Sequence, residues 1–151
     1  MAGYLKSGMG VNGMQADETL PDDVFVEEFE TLSLDPNYFN HRGHLRLAWC
    51  YLTWLPLGEA AQRSADSIRR FATHQGQPEK FHVTMTLAFM HIVKDRMRGA
   101  QAGEDFNGFC ARNPDLLNDA RALIGRYYSP GKLDDPAARM AFIAPDRKPL
   151  P

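Results

Sequence analysis

Residues 81–93 read FHVTMTLAFMHIV, and as a helix this stretch is apolar almost all the way round. A helix without a polar face is buried at the centre of its domain. The β-branched residues would also suit a strand. The length of the run, with Met, Leu and Ala inside it, favours a helix spanning about 78–99. Its polar members His82, Thr84, Thr86 and His91 then need partners, because unpaired buried polar groups are costly. The rest of the chain has to wrap this segment.

That wrapping is predicted to be helical throughout. No convincing period-2 run is paired by an Asn-Gly or Asp-Gly turn, and Asn12-Gly13 near the start has no strand partners around it. Three Asx-Pro pairs, Asp35-Pro36, Asn113-Pro114 and Asp135-Pro136, mark helix starts, since the Asx side chain can cap free N–H groups and the proline lacks one. Helices are expected over about 21–32, 40–55, 57–74, 78–99, 104–111, 113–128 and 136–142. Pro56 ends the second by ring clash, and Gly76 ends the third as a left-handed cap. Pro130-Gly131 breaks the sixth, and residues 144–151 lie extended. The fold class is all-α: a compact single-domain bundle of about five to seven helices around a buried central one.

With 151 residues the chain fits one domain. Residues 1–20 lack periodicity and read as a flexible leader, leaving 21–151 as the helical domain. A net charge of −2, from 17 basic and 19 acidic residues, excludes a strongly basic nucleic-acid module. No stretch approaches the roughly 18 apolar residues of a membrane span, and no secretory signal is visible. Two cysteines without a Cys-x-x-Cys pair give no disulfide framework, so a cytoplasmic, reducing location is expected. Cys50 and Cys110 read as inert buried thiols, and Met85, Met90 and Met97 as core filler. Glu27, Glu28 and Glu30 read as a solvated helix face. An Arg139–Asp146 contact reads as a surface pair of little consequence. Phosphate-loop, nucleophile-elbow and haem-attachment motifs are not found.

The chemistry lies in the histidines. There are five: His41, His44, His74, His82 and His91. A core stripe at 41, 44, 48, 52 and 55 puts His41 and His44 on the inward face of the second helix, at its start. His82 opens the fourth helix. Short connections make consecutive helices antiparallel, so the second and fourth share an end, and His74 closes the third helix there. His91 lies about 13 Å along the fourth helix, on the opposite face. Three inward imidazoles can bind a divalent transition metal (Fe, Zn, Cu, Ni or Mn) and leave a position open for catalysis. Helix N-termini also disfavour imidazolium and attract anions. The bland alternative is structural: histidines at helix starts often cap backbone groups.

The segments FNHRGHLRLAW, KFHVTMT, NPDLL, RYYSP and ARMAFIAPDRKPLP resemble a group of small bacterial all-helical proteins. Its members read F-x-H-x-x-H-L-R-x-A-W, then K-Y-H-E-T-x-T and Y-Y-S, and end near P-D-x-x-P-L-P. The resemblance spans about residues 39–151 and supplies no reaction. It places His41, His44 and His82 inside the two histidine motifs. Val83 stands where the group has Glu, which puts in doubt any role that Glu plays in relatives.

The leading expectation is a small metal-dependent enzyme acting on a small, anionic metabolite, with His41, His44 and His82 as ligands. Thr86 or Tyr127 would orient the substrate, and His74 would serve as a further acid–base group. A second expectation is a metal-free histidine acid–base enzyme, an isomerase or lyase. A third is a non-catalytic ligand-binding or interaction protein, such as a helical homodimer, which apolar surface exposed around Trp54 would favour.

Overall fold

The computed structural model describes residues 20–151, so the expected leader lies outside the described residues save for Leu20. The described chain is helical and contains no strand. The helices are α1 (Asp22–Glu30), α2 (His41–Trp54), α3 (Leu57–His74), α4 (Val83–Met97), α5 (Phe106–Arg112), α6 (Pro114–Asn118), α7 (Ala120–Ile124), α8 (Pro130–Asp134) and α9 (Pro136–Met140). Two 3-10 turns, Pro36–Tyr38 and Pro78–Lys80, precede α2 and α4. No helix among the described residues is long and apolar enough to cross a membrane.

The central helix sits where its composition demands. α4 packs against α2, α3, α7 and α9, and Val83, Met85, Ala88, Phe89, Met90, Ile92 and Val93 are buried. An aromatic cluster joins the first half of the chain beside it. The Phe29 ring lies 4.3 Å from Phe39 and 4.9 Å from Phe71. Arg46 ties α1 to α2: its guanidinium donates to Asp22 and to the Leu20 carbonyl and lies over the Phe25 ring.

A short helix, α8, begins at Pro130, where only a break was expected, because the Ser129 side chain accepts the Lys132 N–H and caps a new start. Three boundaries also differ from expectation, each for a local reason. The helix expected over 113–128 is broken, because the Asp119 carboxylate accepts the Ala122 N–H and starts α7 afresh. Asn113 caps nothing with its side chain; its amide donates to the Phe109 carbonyl and accepts from Arg96. The third difference lies at the start of α4. Residues 78–80 form a 3-10 turn, and His82 is extended as the N-cap of α4 rather than lying within it.

The C-terminal segment beyond α9 is non-helical, as its prolines require. Side chains and backbone from α4 and the 125–129 turn strap it down. Thr84 donates to the Ala141 carbonyl and accepts from the Ile143 N–H. Tyr128 donates to the Ile143 carbonyl at 2.7 Å. Asp146 accepts from both the N–H and the hydroxyl of Ser129, and Arg147 donates to the Tyr127 and Gly125 carbonyls. The Arg139–Asp146 contact is therefore replaced, since Arg139 turns instead to the Glu79 and Phe81 carbonyls. Glu30 is likewise no solvated side chain: it takes a two-pronged contact from Arg63 and accepts from Tyr51.

Candidate histidine site

The first turn of α2 is fixed from both sides. The Asn40 side chain accepts the Gly43 N–H at 2.9 Å, which satisfies one free donor of the helix start. The preceding 3-10 turn crosses so closely that a Cβ on Gly43 would lie 2.5 Å from the Tyr38 carbonyl oxygen. Only glycine fits there. This close packing sets the positions of His41 and His44 on either side of it.

His41 is half-buried, and its Nε2 donates to the Leu116 carbonyl at 2.7 Å. That carbonyl belongs to α6, which ends two residues later, so the break at Asp119 leaves it outside the helical ladder. A ring that donates from Nε2 carries its lone pair on Nδ1. Nδ1 is buried and has no hydrogen-bond partner among the described residues. The Phe89 ring of α4 lies 6.2 Å away. Burial lowers the His41 pKa, against the opposing pull of the Leu116 carbonyl and of Asp119.

His44 is 4% exposed, with its ring 4.0 Å from that of Phe39. It borders a small internal space of about 10 Å³, shared with Ser64 of α3 and with Thr86 and Phe89 of α4. That is about the room one water needs. Burial holds the His44 pKa well below its ordinary value, and neighbouring His41 adds to the shift.

His82 is committed to the fold. Its Nδ1 accepts the Met85 N–H at 3.1 Å and its Nε2 donates to the Leu133 carbonyl at 3.0 Å. Both nitrogens of the neutral ring are thus engaged, and no lone pair remains for a ligand bond. Its pKa is lowered by burial and by the charges of Arg139 and Arg121, against the pull of Leu133.

The expected three-histidine metal set is not assembled. Among the described residues no group of three or more His, Cys, Asp or Glu side chains is placed to hold a metal ion. The physical reason is the capping role of His82, which periodicity along 81–93 concealed by placing that residue inside the helix. His44 and Thr86 border one small space between α2, α3 and α4, and His41 lies near Phe89, which borders that space too. His74 is exposed in the last turn of α3. Tyr127 is half-buried beneath Lys148, 5.0 Å from its ring, and belongs to the turn that straps the C-terminal segment.

Two participants escaped sequence reasoning. Ser64 falls on the inward stripe of α3 with Ala60, Ser67, Ile68 and Phe71; a small hydroxyl residue in an apolar stripe was the available signal. The Leu116 carbonyl left no signal, because a backbone acceptor is set by where a helix ends. No protein-family model, curated protein or solved structure matches the chain.

Proposed function

We propose that the protein is a small, metal-free enzyme that uses histidine acid–base chemistry on a small anionic molecule, with His41 as the base. The observation that carries this reading is the His41–Leu116 hydrogen bond together with the unpartnered Nδ1. A carbonyl that accepts from Nε2–H fixes the tautomer, orients the ring and favours the imidazolium that forms when Nδ1 takes a proton. The lowered pKa keeps the ring neutral near pH 7, ready to accept. His41 opens a helix of 14 residues whose first turn carries no acidic side chain, so the positive end of the helix is offset there only by the charge of Asp119 on a neighbouring element. That field suits an anionic substrate. Proton removal from a carbon beside a carboxylate or carbonyl, followed by its return elsewhere, is isomerase chemistry; departure of a leaving group instead makes a lyase. Thr86, beside His44, supplies a hydroxyl for orientation.

The test is deuterium wash-in. A panel of small oxo- and hydroxy-acids is incubated with protein in D2O and followed by proton NMR. The parent is expected to exchange a carbon-bound proton of one member, and His41→Ala is expected to lose that exchange with its circular dichroism unchanged. Exchange that survives in His41→Ala overturns the assignment. Elemental analysis of protein purified without chelators runs beside it. Near-stoichiometric metal, lost in each of His41→Ala, His44→Ala and His82→Ala, would put the metal-dependent reading in its place.

A second reading has its own support. Trp54, Met140 and Phe142 are 47%, 76% and 44% exposed, and such apolar exposure suits a non-catalytic interaction protein or a homodimer. Mass measurement across concentration separates this reading from the first.

A further inference from the structure

Beside His82, three short elements meet around a cleft of about 280 Å³. Arg121 of α7 and Arg139 of α9 both line it, together with Leu133, Asp134 and Asp135. Two guanidinium groups from separate elements are brought to one concave surface, and nothing in the reading of His41 accounts for this. We propose that the cleft is a binding site for a phosphoryl dianion, carried as inorganic phosphate or on a small phosphate monoester.

The two arginines are held differently. The Arg139 guanidinium is anchored on the Glu79 and Phe81 carbonyls, so little of its freedom remains to be lost on binding. Arg121 is loosely engaged, at 3.8 Å from the Met85 sulfur and 3.5 Å from Asp134. Both charges reach His82 strongly enough to disfavour its protonation, so the cleft floor lies in a positive field. Guanidinium groups supplied by two separate helices suit a tetrahedral anion, which offers oxygens in several directions, better than a planar carboxylate.

The two aspartates do not cancel this. Asp135 is committed as the cap of α9, accepting the Ala137 N–H at 2.9 Å. Asp134 is largely exposed and its contact with Arg121 is long, so a dianion displaces it at small cost. The volume sits at the lower edge of the roughly 300–1,000 Å³ typical of ligand pockets. A phosphate with a short carbon chain fits within that space, and a nucleotide would carry its base out of the cleft into solvent, with no added contact to tighten it.

Isothermal titration at fixed ionic strength tests the proposal, with inorganic phosphate, glycerol phosphate and adenosine monophosphate as separate probes. Saturable binding of phosphate or glycerol phosphate is expected in the parent. Equal affinity for the two identifies the free ion as ligand, and preference for glycerol phosphate identifies a monoester. Arg121 is exposed, so Arg121→Gln keeps the fold, and it is expected to weaken binding about tenfold or more. Asp134→Asn removes the competing carboxylate and is expected to tighten binding about two- to fivefold. The proposal is overturned by absence of saturable binding of both small probes, by adenosine monophosphate binding more tightly than glycerol phosphate, or by unchanged affinity in Arg121→Gln. This result is independent of the fate of His41.

Discussion

His44 is buried beneath the Phe39 ring, and its place in the core is compatible only with the neutral form. Burial lowers its pKa from the ordinary 6.5. Above about pH 6.5 neither the folded nor the unfolded chain protonates this group, and its penalty is zero. As pH falls through that value the unfolded chain takes up a proton that the folded chain refuses, so stability falls with acidification. The slope approaches about 1.4 kcal/mol per pH unit for one such histidine. Denaturant unfolding between pH 8 and pH 5 should show this loss, and a folded His44→Gln variant should show a shallower one. A stability unchanged over that range would mean that His44 is protonated as easily folded as unfolded. His82 shows how the same residue type serves differently, since its two nitrogens close a helix start and tie α4 to α8. Tyr128 is buried, with its hydroxyl on the Ile143 carbonyl. Tyr128→Phe should therefore cost about 0.5–1.5 kcal/mol and speed amide exchange in the C-terminal segment.

Helix starts decide the site at the scale of elements. Asn40 and Gly43 set the first turn of α2, and Asp119 frees the Leu116 carbonyl that orients His41. Gly43→Ala drives a methyl group against the Tyr38 carbonyl. It is expected to cost about 1–3 kcal/mol in unfolding, whereas Gly58→Ala, with open space around it, should be neutral or stabilising. A Gly43→Ala protein as stable as the parent would contradict the close crossing. The all-helical class and the buried central helix were legible because thirteen consecutive positions without a polar face leave few alternatives. Asp35 and Asp135 were legible as starts, since each side chain accepts an N–H two residues on. His82 and Asp119 were misread for one shared reason. Hydrophobic spacing continues smoothly across a cap, while the cap depends on which polar side chain turns back to the backbone. The His41–His44 pair was legible from three-residue spacing. Its partner on α6 was not, because nothing local marks which carbonyl an interrupted helix leaves free.

At the largest scale, the described residues form an α4 axle held by α2, α3, α7 and α9, with a C-terminal strap pinned at Thr84, Tyr128 and Ser129. Phe89 joins the core of that axle to the candidate site, lying near both His41 and the space beside His44. Phe89→Ala should cost about 3–5 kcal/mol and loosen both histidines at once; thermal unfolding with histidine spectra of the same sample reads both effects. The account as a whole turns on one proton. A long-range proton–nitrogen spectrum of the assigned histidines, titrated from pH 8 to pH 5, shows which ring nitrogen of His41 carries it. The predicted result at pH 7 is a neutral ring with the proton on Nε2, Nδ1 bare, and a midpoint below 6.5. A proton on Nδ1, or an imidazolium at pH 7, would contradict the assignment of His41 as the waiting base.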